Sequence, residues 1–135
     1  MENFTFKKEE RLCSKRLIDG LFHNGSSFVL YPFRIVSWVT SNPEAPAQVI
    51  ISVPKRRFKK AVTRNEIKRR IREAYRVHKH AYVYASPPPD QAGILFAIQY
   101  VGKTVLPFAE ISLKLALALQ RMKNESRPLH LAKNN

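Results

Sequence analysis

Residues 55–76 read KRRFKKAVTRNEIKRRIREAYR, and the reading of this stretch decides the fold. It holds eleven basic residues, Lys55, Arg56, Arg57, Lys59, Lys60, Arg64, Lys68, Arg69, Arg70, Arg72 and Arg76, against two acidic ones, Glu66 and Glu73. From residue 61 the spacing is helical. Ile67, Ile71, Ala74 and His78 recur at i, i+4, i+7 and i+11, which places them on one stripe facing a core. Asn65, Arg69, Arg72 and Arg76 repeat that spacing on another face, and Arg64, Lys68 and Arg72 form a row beside them. The pattern predicts a helix from Ala61 to about His80 that buries one side and presents Arg, Lys and Asn on the other. Thr63 and Glu66 have the spacing of a capping box, which would start the helix at Thr63.

Working outward, Leu17, Ile18, Leu21 and Phe22 form an apolar stripe on a short helix from Ser14, its N-cap, to a stop at Asn24-Gly25. Ser27 to Thr40 is aromatic and β-branched and reads as a strand, with Pro32 marking an edge position or a bulge. Residues 41–46 carry two prolines and read as a loop, and Gln48 to Val53 as a second strand, a hairpin partner for the first. Residues 86–91 hold three consecutive prolines and read as a stiff surface loop. Ile94 to Val101 is almost continuously apolar, as a central strand covered on both faces would be. Pro107 to Met122 carries mixed signals. Leu113, Leu115, Leu117 and Leu119 alternate as in a strand, but the residues between them are strong helix formers and Pro107 suits a first turn, so a helix is expected. The order is helix, two or three strands, long helix, strand, helix. That is an α+β fold, a mixed sheet with packed helices, in a single domain over 1–135 with frayed ends at about 1–10 and 124–135.

The composition narrows the function. The chain has 135 residues, 44% of them apolar, and a formal net charge of +14. A folded domain with that charge needs a polyanion, and nucleic acid comes before an anionic membrane surface. About two thirds of the net charge lies in residues 55–76. Solvated helix faces usually mix signs, and this one is nearly single-signed, with arginines whose planar donors match phosphate. Cys13 stands alone, there is no signal peptide or membrane span, and a cytoplasmic protein is expected. His78 and His80 do not face each other on a helix, and no Cys or carboxylate pattern completes a metal site. Glu66 and Glu73 are expected to pair with Arg69, Arg70 and Arg76, so no chemistry is assigned to this chain.

At this stretch the resemblance becomes specific. Ala61-Val62, Arg64-Asn65, Lys68-Arg69 and Arg72-Glu73 match the signature of the bacterial ribonuclease P protein family, and the likeness extends over roughly Arg11 to Met122. It implies an α-β-β-β-α-β-α sandwich with a left-handed βαβ crossover, although right-handed crossovers are the rule. It implies that the signature helix and the loop before it bind the catalytic RNA. The residues carried over are Lys55, Arg56, Arg57, Lys59, Lys60, Arg64, Asn65, Lys68, Arg69, Arg72 and Arg76. It implies that a cleft between the first helix and the sheet holds the 5′ leader of precursor tRNA. Hydrolysis falls to the RNA, with Mg²⁺ bound mainly by RNA and substrate, and the protein enters the holoenzyme as a monomer. The sequence departs from the family at Glu66, where a third basic residue is common, and at Phe58, where a glycine is frequent.

Aromatic rings stack on unpaired bases with little sequence preference, as a leader site needs. The same rings also read as core. Strand alternation puts Phe33 and Ile35 on one face and Val36 and Trp38 on the other. Phe22 and Phe33 are the expected cleft rings, with Ile18 and Val36 beside them; the family often has another aromatic where this chain has Ile18. A structural RNA-binding protein such as a ribosomal one, a DNA regulator and a membrane-surface protein are the competing readings. The last two are weakened by the absence of a helix-turn-helix spacing next to Thr63 and by the small apolar face of Ile67, Ile71 and Ala74.

Overall fold

The computed structural model describes residues 10–41, 47–84 and 92–133. Helix α1 spans Lys15–Asn24. The Ser14 hydroxyl accepts from the Leu17 amide at 3.4 Å, and the Gly25 amide closes the other end on the Leu21 carbonyl at 2.8 Å. The single strand expected over Ser27–Thr40 is instead a hairpin of β1, Ser26–Leu30, and β2, Phe33–Ser41. The chain reverses at Tyr31-Pro32, because Pro32 has no amide to give a ladder. Strand β3 is Ala47–Ser52, helix α2 is Ala61–Lys79 with a π-helical turn, His80–Tyr84, continuing it, strand β4 is Ala92–Tyr100, and helix α3 is Phe108–Lys133. The expected loop at 86–91 lies outside the described residues.

The sheet order is β1-β2-β4-β3, with β1–β2 and β2–β4 antiparallel and β3–β4 parallel. This corrects the expected pairing of β3 with the strand before it. β4 is apolar on both sides, so it takes the centre and displaces β3 to the far edge. The crossover from β3 through α2 to β4 therefore joins neighbouring parallel strands.

Two apolar clusters lie on the two faces of this sheet. On one face Phe33, Ile35, Phe96, Ile98 and Tyr100 pack against Ile67, Ile71, Ala74 and Tyr75 of α2 and Ile111, Leu115, Ala118 and Leu119 of α3. On the other, Leu21 of α1 and Leu12 cover Val36, Leu95 and Ala97. A Cβ on Gly20 would lie 2.7 Å from the Trp38 ring, so the glycine is what lets α1 sit this low on the sheet. In α3 the alternating leucines divide by helical period: Leu115 and Leu119 are buried, and Leu113 and Leu117 face outward. The helix is drawn to Lys133, past residue 124, from which frayed residues are expected. Among the described residues no helix is long and apolar enough to cross a membrane.

Candidate nucleic-acid interface

α2 begins at Ala61, with Lys60 as its N-cap and no side-chain capping bond. The expected capping box at Thr63 and Glu66 is therefore not used. Glu66 turns to arginines instead: Arg69 donates to it at 2.7 and 2.9 Å, and Arg70 at 3.2 Å. Arg70 also donates to the Leu106 carbonyl at 2.7 Å, which ties α2 to the turn before α3. Arg76 pairs with Glu73, its Nε donating at 3.1 Å. Hydrogen bonds from Arg69 hold the Glu66 carboxyl below its usual range, and those from Arg76 do the same for Glu73. The two carboxylates are thus committed to arginines, as expected.

Helical geometry separates what remains. Ile67, Ile71, Ala74 and Tyr75 are buried; Tyr75 belongs to the same stripe, although the spacing argument left it out. His78 ends the stripe half-buried, its Nε2 2.8 Å from the Ser112 hydroxyl of α3. Asn65, Arg69 and Arg72 are exposed, and Lys68 and Arg76 are partly so. Lys55, Arg56, Arg57, Lys59 and Lys60 are exposed in the turn ahead of the helix, which is pinned at Phe58, buried against Tyr100. Apolar Phe58 thus anchors the loop where the family often has glycine. Arg64 is engaged locally: its Nη1 donates to the Phe58 and Lys59 carbonyls, each at 2.8 Å, and clasps the turn to the first coil of α2.

The cleft residues expected on the other surface divide. Phe22 stands on α1 at 44% exposure, and Ile18 is half-buried at the edge of the α1 cluster. Phe33 is fully buried on the opposite side of the sheet, edge-on to Tyr100, and Val36 is 2% exposed beneath α1. Both are corrections. Phe33 follows the pleat into the α2–α3 core, and α1 covers Val36.

Past the end of α1's cover, the same sheet face carries residues that the sequence reading missed. Val29, Arg34, Gln99 and Ser52 are cross-strand partners in one row, two residues beyond Val36. Arg34 donates to Gln99 Oε1 at 2.6 Å and to the Ser27 hydroxyl at 3.4 Å. The signal was a cation and an amide inside otherwise apolar strands, in phase with Val36 and Ala97. Among the described residues no group of three or more His, Cys, Asp or Glu could hold a metal ion.

Fold and surfaces together define a small basic α+β protein with a cationic helix face and, on the other side of its sheet, a polar row of strand residues past the end of α1. Residues 6–122 match the family model described as Ribonuclease P, and the chain belongs to that family. A ribonuclease P protein component of Porphyromonas gingivalis is 44% identical over 78 residues, 57% of each chain, so this chain spans a little over half the length of that relative. One from Chlorobium phaeobacteroides is 35% identical over 107 residues, 73% of each. In fold, the chain is similar to the RNase P protein of Thermotoga maritima (TM-score 0.66, 23% identity, 83% of this chain and 96% of that one). It is similar also to an RNase P protein mutant of Staphylococcus aureus (TM-score 0.67, 24% identity, 86% and 90%).

Proposed function

We propose that this chain is the protein component of a ribonuclease P ribonucleoprotein, binding a catalytic RNA and the 5′ leader of precursor tRNA to promote 5′-end maturation. The observation that carries the reading is the sorting of charge on α2 in a chain of this family. Asn65, Lys68, Arg69, Arg72 and Arg76 face away from the core, and the basic turn at 55–60 adjoins the helix. Each cation set against a phosphate releases condensed counterions, so this surface contributes affinity without reading sequence. Arg64 supports it by holding the turn.

The groove beside α1 suits a single strand. Phe22 offers a ring face, and a stacked base is worth about 1–3 kcal/mol with little base preference. Arg34, Gln99, Ser27 and Ser52 offer a cation and hydrogen-bonding groups to a passing sugar-phosphate chain. In this reading the protein binds and positions, and the RNA performs the hydrolysis. Mg²⁺ belongs to the RNA and the substrate. The carboxylates nearest the cationic face, Glu66 and Glu73, are held by arginines and do not fit a metal site. The protein acts as a monomer within a cytoplasmic holoenzyme.

Cleavage of a precursor tRNA by a cognate bacterial ribonuclease P RNA at low Mg²⁺, with and without the protein, tests this. Strong stimulation with correct 5′ ends is expected. Folded protein that gives no stimulation would overturn the assignment and leave a basic RNA-binding protein of another kind.

A further inference from the structure

Lys79 is 1% exposed, and its ammonium lies 2.9 and 2.8 Å from the two carboxylate oxygens of Glu10, itself buried. The other ion pairs of α2 lie at its surface. Lys79 is the last residue of α2, four positions after the buried Tyr75, so its cation ends the buried side of the helix and not the exposed one. Glu10 opens a segment held at every step. Arg11 forms a parallel β-bridge with Val49, the Leu12 amide donates to the Val49 carbonyl at 2.9 Å, and the Leu12 side chain enters the cluster beneath α1. Ser14 then caps α1.

We propose that the Glu10–Lys79 pair is a latch that fixes α1 over the sheet, and with it the groove beside Phe22, relative to the RNA-facing helix α2. Glu10 and Lys79 are then positioning residues for leader binding, and this rests on the groove reading above. The choice of charges supports a positional role. Two ions taken out of water regain little net stability over an apolar pair, whereas a bidentate contact fixes direction and register. The latch also joins the two surfaces across the sheet edge, since its cation stands on α2 and its anion four residues before the α1 N-cap.

The test uses the full chain and three variants: Lys79→Met, Lys79→Arg, and the apolar pair Glu10→Leu with Lys79→Met, which preserves folding if a single change does not. Hydrogen exchange is read in α1 and α2. Affinity is read for the catalytic RNA, and for precursor tRNA with and without a leader. The latch predicts faster exchange in α1 than in α2, and a leader-dependent gain that falls roughly tenfold, below the cost of misplacing a reacting group by 1 Å. Affinity for the catalytic RNA should stay within about twofold, as for a site with no shared partner. Lys79→Arg should retain most of the gain, and the apolar pair should lose it while unfolding no more easily than the parent. Unchanged α1 exchange, an intact leader gain in the apolar pair, or exchange raised equally in all helices would overturn the latch. If the parent itself shows no leader gain, the groove reading fails, and α1 exchange alone then decides the latch.

Discussion

Glu66 sits among arginines on a surface otherwise given to cations, and its two salt bridges set the charge that surface offers. Glu66→Gln releases Arg69, which is 71% exposed in its side chain, and is expected to strengthen binding to the catalytic RNA and steepen its salt dependence by about one phosphate equivalent. Arg72→Ala and Lys68→Ala should do the reverse, each flattening the slope by about one. Titrations at several salt concentrations check all three, and equal slopes would remove the assignment. The sequence made this face legible because helical period alone sorts it. Arg64 was not legible in the same way. Its place in the row is right, but its use of the Phe58 and Lys59 carbonyls depends on the path of the preceding turn. Arg64→Ala is therefore expected to loosen the amides of residues 58–61 in hydrogen exchange, whereas Arg72→Ala should leave them protected.

At the scale of elements, α3 shows where sequence patterns conflict and which one wins. The alternation of Leu113, Leu115, Leu117 and Leu119 suits a strand, yet helical propensity prevails, and the alternation then splits into a buried pair and an exposed pair. Leu115→Ala should cost about 2–5 kcal/mol in urea unfolding, and Leu113→Ala, at 60% exposure, less than about 0.5 kcal/mol. The hairpin of β1 and β2 differs from the single expected strand for a related reason: eight strand-forming side chains suggest continuity, but the ladder's need for an amide at Pro32 breaks it. The α2–α3 contact carries a pH dependence. Burial against α3 and beside Tyr82 holds the His78 imidazole below its ordinary value of 6.5. The folded protein then binds fewer protons than the unfolded chain. Stability is full above 6.5 and falls as the pH drops through that value toward the folded one. His78→Gln should flatten the decline in urea midpoint between about pH 8 and 5.5, above the range where carboxylates titrate. An unaltered decline would place the dependence elsewhere.

For the whole molecule, the sheet is a partition. Helix α2 lies on one face with its cations turned outward, and α1 lies on the other with Phe22 exposed. The charge pattern announces the first surface, whereas the second comes from strand register: Arg34, Gln99 and Ser52 are far apart in sequence and meet only because β2, β4 and β3 are neighbours. Phe22 and Arg72 stand on opposite faces of a packed sheet, and neither belongs to the Glu10–Lys79 pair that links the two faces, so changes at the two should be nearly additive. Phe22→Ala is expected to weaken binding of leader-bearing precursor by about 1–3 kcal/mol and to leave leaderless tRNA unaffected. Arg72→Ala should weaken assembly with the catalytic RNA whatever the substrate carries. In the double variant, assayed in reconstituted holoenzyme with saturating RNA, the Phe22→Ala loss should match that of the single variant to within about 0.5 kcal/mol. A larger deviation would mean that RNA docking on α2 reshapes the groove through the sheet, and that the partition transmits what it separates.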